Sequence, residues 1–140
     1  MLIDAAADSP HTVALVDGAE NAEDRRRWTY PDLLAAALGT AHGLLEWFEP
    51  GERLAVWGPS MPEWEVMQLG AALAGITVVT VNPAFTAKEL AYVLGHSRSA
   101  GIAMVPTYRG NDLFAVLGDA RSTGSTEELK EPPVRAEMNR

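Results

Sequence analysis

With 140 residues, 47% of them hydrophobic, the chain can bury one ordinary core and is too short for two well-developed domains. A net charge of −8 and a pI near 4.8 oppose a long contact with a nucleic-acid backbone, which needs clustered Lys and Arg to displace counterions. The lack of cysteine removes disulfides, thiolate metal sites and thiol nucleophiles, and fits a cytoplasmic location.

The first stretch, "MLIDAAADSP", carries acids where a secretory signal would carry bases, and it reads as mature protein. "TVALVDG" predicts a strand, "GAENAEDRRR" a turn and "RWTY" a second strand. Arg25, Arg26 and Arg27 read as a solvated turn whose charges are offset by the neighbouring Glu23 and Asp24. Pro31 fixes φ at a helix start, and Leu34, Leu38, Ala41, Leu45 and Phe48 then form one apolar stripe, ended by "EPGE".

From Arg53 onward, strand and helix alternate: "RLAVW", "PEWEVMQLGAALA", "ITVVTV", "AKELAYVLGHS", "GIAMVP" and "NDLFAVLGDAR". Such alternation with short connections predicts an α/β fold, a parallel sheet with helices on both faces. "ITVVTV" is apolar at odd and even positions, as a strand covered on both faces should be. Residues 69–81, "LGAALAGITVVTV", are fewer than the roughly 20 a membrane span needs, and Gly75 marks a helix-to-strand junction within them; no transmembrane segment is expected. Two helix starts carry the capping-box spacing, Thr86 with Glu89 and Ser60 with Glu63. Residues 122–140, with a Pro pair and mixed charge, read as a linker or disordered tail after a body of residues 1–121.

The strand-turn-helix at "VWGPSMPEWE" is where α/β proteins place a phosphate loop or an exposed nucleophile. Gly58, Ser60 and Pro62 approximate the serine elbow, but Pro62 stands in place of its second glycine. The only downstream histidine is His96, with Glu89 as its nearest upstream acid. A small serine hydrolase is therefore a distant reading, and a structural Ser60 the simpler one. Neither glycine-rich phosphate motif is present, and Pro59 and Pro62 remove N–H groups that a phosphate would use. His11, His42 and His96 lack metal-ligand spacing. Trp57, Trp64, Gly70, Ala71, Ala74 and Gly75 are explained by core packing and close helix-to-sheet approach. The residues thus assign no catalytic, cofactor-binding or metal-binding position.

The order of segments is nonetheless distinctive. "WTYPDLLAAALGTAHGL", "EPGERLAVWGPSMPEWEVMQLGAALAGITVVTVNPAFTAKELAYVLGHSRSAGIAMV" and the turns "NPAF" and "YRGND" resemble the amino-terminal part of AMP-forming acyl-CoA synthetases, of the adenylate-forming superfamily. The likeness runs from Trp28 to about Arg121, and the two turns look like the fatty or alicyclic acid branch. It implies a partial amino-terminal subdomain in which the turn at 58–62 is scaffold. In the full-length family a carboxylate attacks the α-phosphate of ATP, releasing pyrophosphate, and coenzyme A then displaces AMP; Mg²⁺ neutralises the phosphates. The family's nucleotide-site motifs and its catalytic lysine have no counterpart here. "STGSTEELKE" copies only the Ser, Thr, Gly and Lys spacing of the family's phosphate loop, with Glu127, Leu129 and Glu131 where Gly, Pro and Gly stand. Two carboxylates there would repel a triphosphate.

The expectation is a truncated AMP-dependent acyl-CoA synthetase, inactive alone and holding no cofactor by itself, although the full-length family uses ATP, Mg²⁺ and CoA. The alternative is a non-catalytic α/β interaction module. Partners would be the missing synthetase portion or a second copy through self-association, with no nucleic acid.

Overall fold

The structure is a computed structural model and describes residues 1–123 and 129. A short helix, α1 (Leu2–Asp8), precedes an antiparallel pair, β1 (Val13–Val16) and β2 (Arg27–Thr29). Helix α2 (Tyr30–Leu45) follows directly. Thr29 caps it, its hydroxyl accepting from the Asp32 N–H while the Asp32 carboxylate accepts from the Thr29 N–H, and Pro31 sits in the first turn.

The centre is a parallel three-stranded sheet of β3 (Arg53–Trp57), β4 (Thr77–Val81) and β5 (Gly101–Met104), in the order β4-β3-β5. The chain crosses from β3 to β4 through α3 (Pro62–Leu73), then back past β3 to β5 through α4 (Ala87–Ser97). Because parallel crossovers keep one hand, reversing direction across the sheet sends the second helix to the opposite face. The alternation of β3 shows the result. Leu54 and Val56 pack with Ala41, Leu44, Phe48 and Ala71 of the α2–α3 side. Ala55 and Trp57 pack with Leu90, Leu94, Leu113 and Ala120 on the other side. Those last residues belong to α4 and to α5 (Leu113–Arg121), which follows a small hairpin of β6 (Thr107–Tyr108) and β7 (Asn111–Asp112). The hairpin turns through Arg109 and Gly110, both at positive φ, as a tight two-residue loop requires.

The sequence-predicted strands and the helices after them stand where expected, and helices cover both faces of the sheet. Three details differ. The buried stripe of α2 is Leu33, Ala37, Ala41, Leu44 and then Phe48 beyond the helix: Ala41 and Phe48 are as expected, while Leu33, Ala37 and Leu44 take the places of Leu34, Leu38 and Leu45, of which Leu38 and Leu45 are exposed. Strand β4 touches the clusters on both faces, Val78 on one and Val81 on the other, but it lies at the sheet edge among the described residues and its cover is incomplete: Val78 and Val79 are half-buried, and only Val81 is buried. Ser60 does not cap α3; Met61 occupies the cap position without a side-chain bond, and Pro62 opens the helix. The expected box fails because Glu63 is drawn instead to Arg26. Thr86 and Glu89 do form their capping box. Apart from Ser122, Thr123 and Leu129, the expected tail and the phosphate-loop-like segment lie outside the described residues.

Candidate functional site

The turn after β3 lies where ligands bind in open α/β sheets, at the carboxyl ends of neighbouring strands whose continuations leave toward opposite faces. Here α3 leaves β3 on one face, and the path from β5 leads to α5 on the other. Between the two strand ends is a cavity of about 230 Å³, bordered by residues of β3, β5, α3 and the turn before it, Met61, Trp64, Met67 and Met104 among them. Trp57 is fully buried, and its indole N–H donates to the Asn82 carbonyl at 3.0 Å. This bond ties the end of β3 to the turn after β4.

The polar edge of the cavity is Glu63. Its Oε1 accepts from the Arg26 guanidinium at 2.7 Å, and the same guanidinium donates to Asp17 at 2.9 Å. Arg26 also lies over the Trp28 ring, 5.0 Å from its centroid. The arginine run is therefore more than the solvated turn the sequence suggests. Arg26 clamps the β1–β2 pair to the first turn of α3. Its hydrogen bond holds the Glu63 carboxyl below the usual carboxylate range, against the opposing effect of desolvation. A carboxyl depressed in the folded state stabilises fully above its unfolded pKa, and that contribution is lost as the pH falls through the folded value. The stability difference between wild type and Glu63→Gln is accordingly expected to be present at neutral pH and to shrink below about pH 4.3. Urea midpoints measured at both pH values check it; a difference unchanged in acid would contradict the clamp.

The turn does not suit a nucleotide phosphate. Pro59 and Pro62 donate no N–H, and the first turn of α3 carries Glu63 and Glu65, whose charge opposes an anion at the helix start. Ser60 is exposed and borders a shallow cavity shared with residues 15–19. His96 belongs to α4, on the opposite face, where it stacks on Tyr92 with ring centroids 5.4 Å apart. The serine and histidine are thus not brought together, and the elbow reading has no base. Among the described residues, no group of three or more His, Asp or Glu side chains could hold a metal ion, and no helix is long and apolar enough to cross a membrane.

Comparison with known proteins decides the family. The profile of a family described as AMP-binding enzyme matches residues 2–138. The chain belongs to that family. It is 44% identical over 109 residues to the medium-chain acyl-CoA ligase ACSF2, mitochondrial, of Macaca fascicularis, covering 77% of this chain and 17% of the relative. Among solved structures, a Rhodopseudomonas palustris protein named as a long-chain-fatty-acid CoA ligase superposes with a TM-score of 0.71 at 27% identity, over 87% of this chain and 28% of that one. The N-terminal subdomain of Klebsiella oxytoca NpsA shares the fold, with a TM-score of 0.68 at 21% identity over 79% of this chain and 27% of that one. The chain therefore corresponds to an amino-terminal piece of an adenylate-forming acyl-CoA synthetase, spanning about a sixth of that curated relative's length.

Sequence reasoning did not find the Arg26 clamp, whose partners lie 9 and 37 residues away in the chain. It also assigned Trp57 and Trp64 to the core alone. Trp57 is core, whereas Trp64 is only partly buried and lines the cavity as well. The signal available for the cavity was three methionines near two strand ends, which spacing cannot distinguish from ordinary packing.

Proposed function

We propose that these residues form the amino-terminal scaffold of an AMP-forming acyl-CoA synthetase and catalyse no adenylation by themselves. The observation that carries this reading is the family match running through residues 2–138, together with a strand-to-helix turn whose prolines and acids do not suit a phosphate. In this proposal ATP, Mg²⁺ and CoA are held by parts of the synthetase beyond this chain, where the carboxylic acid is adenylated and passed to the thiol of CoA. A medium-chain or other fatty acid is the substrate class favoured by the relatives' names. A stand-alone interaction module is not favoured, because it leaves the family match unexplained.

The scaffold role gives the sheet edge a purpose. β4 presents an unpaired edge among the described residues, beside an open groove lined by Gln68, Ala72, Ile76, Val78 and Thr80. The remainder of the synthetase, or a second copy, would cover it, since unpaired strand edges invite association. A cytoplasmic location remains part of the proposal, supported by the cysteine-free composition.

A ligand that binds only the native state raises its stability in proportion to the logarithm of ligand concentration over Kd. Millimolar MgATP or CoA is therefore expected to leave the melting temperature of the 140-residue chain unchanged in a calorimetric scan. A saturable upward shift with MgATP would overturn the scaffold reading.

A further inference from the structure

We propose that β4 pairs antiparallel with β4 of a second copy of this chain, joining the two sheets across a two-fold axis. The inference rests on the scaffold reading and commits the open sheet edge to one occupant. Its first support is the direction of the backbone groups. The Thr77 N–H donates to the Glu52 carbonyl just before β3, whereas the Arg53 and Trp57 carbonyls of β3 turn the other way and accept from Ala100 and Val105 at the two ends of β5. The N–H and C=O of one strand residue leave on the same side, and the side alternates along the strand. Thr77, Val79 and Val81 therefore direct their groups to β3, and Val78 and Thr80 direct theirs to the free edge, where no partner stands among the described residues.

The second support is self-complementarity. With Val79 opposite its own copy on the axis, Val78 of one chain faces Thr80 of the other, and facing residues whose groups point at each other exchange both N–H···O=C bonds. This register satisfies the outward groups of Val78 and Thr80 in both copies, and the contact is isologous, as a closed dimer requires. The third support is charge. β4 holds no charged residue, proline or bulge, the devices that keep an edge from pairing, and the groove beside it, lined by Gln68, Ala72, Ile76, Val78 and Thr80, holds no charge either. No like charges meet across the axis, although each copy carries a net −8. An axis perpendicular to the sheet keeps both α3 helices on one face, so the two grooves adjoin. On the other face the half-buried Val79 gains its own copy as a cross-strand neighbour. A strand of five residues makes a small interface, below the roughly 1,200 Å² of stable complexes, so the dimer is weak and reversible.

Sedimentation velocity of the 140-residue chain over a dilution series is expected to show a monomer–dimer equilibrium that tightens as salt screens the repulsion between copies. Hydrogen exchange followed by NMR is expected to show the Val78 and Thr80 amides gaining protection with concentration, while those of Thr77, Val79 and Val81, already bonded to β3, change less. Thr80→Pro removes an outward donor at an exposed edge position and leaves the bonds to β3 in place. It is expected to weaken the dimer at least about tenfold, because the two-fold axis makes each lost hydrogen bond count twice. Should that variant not fold, the amide protection in the wild-type chain decides the matter. A monomer at every concentration, association without protection at Val78 and Thr80, or a folded Thr80→Pro chain that associates as tightly as wild type would each overturn the proposal. None of these outcomes touches the scaffold reading, whose failure shows instead as a stability gain with MgATP; a monomer assigns the edge to the remainder of the synthetase.

Discussion

Replacing Trp57 by alanine is expected to destabilise the chain by about 3–5 kcal/mol, the range for emptying a large buried aromatic site. Trp57 has no exposed surface, stands at the end of the central strand, and packs among residues of α4 and α5. The substitution also removes the donor to the Asn82 carbonyl, so the turn after β4 loses its tie to β3. Native domains retain only about 5–15 kcal/mol in all, so a loss of this size threatens the fold. Trp57→Phe keeps most of the volume and loses the indole donor, so it should fall well short of the alanine cost. Urea unfolding with both transitions compared at equal m-value checks this; an alanine cost under about 1 kcal/mol would contradict the central placement of Trp57.

Gly70→Ala is expected to destabilise by about 1–3 kcal/mol, the usual cost of overpacking. The sign is informative, because glycine to alanine inside a helix ordinarily gains up to about 1 kcal/mol. At Gly70 an added Cβ would lie 2.6 Å from the Thr40 Cβ and 3.0 Å from the Ala37 carbonyl oxygen. Both belong to or adjoin the α2 backbone, which cannot swing aside as a flexible side chain would. The helices α2 and α3 would have to part, exposing the cluster around Ala41, Ala71 and Ala74. Gly39, in α2 with open space at its Cβ position, is the control: Gly39→Ala should leave stability unchanged or raise it. Equal effects at the two glycines, read from denaturation midpoints, would show that the α2–α3 approach is looser than described.

These two positions show what was legible in the sequence. Glycines and prolines punctuate the apolar runs after Arg53, so strand and helix order could be read, and with it the parallel sheet covered on both faces. The face of α2 could not be fixed, because Leu33 beside Leu34 and Leu44 beside Leu45 let two stripes satisfy the same helical spacing. Ala37 and Thr40 opposite Gly70 settle it by packing, which is a property of two helices and not of one. Strand order was equally invisible. The apolar run of β4 resembles that of a central strand, yet β3 takes the centre, with its last four residues buried.

The turn at 58–62 illustrates the same limit. Ser60 and Glu63 have the right separation for a cap, but a charged partner 37 residues upstream of Glu63 competes and wins the carboxylate. A charge-assisted bond of this kind is stronger than a neutral one, and no local pattern announces it. The family, by contrast, was legible from the succession of weak motifs, and the match over residues 2–138 agrees with it. No catalytic residue was assigned from the sequence.

The most direct measurement of the scaffold role is acid-dependent exchange of radiolabelled pyrophosphate into ATP by the purified 140-residue chain. Supplied with a medium-chain fatty acid and Mg²⁺, the chain is expected to give no exchange above a no-protein control. Exchange that depends on the acid and is abolished by Lys130→Ala would contradict the account and place adenylation within this chain.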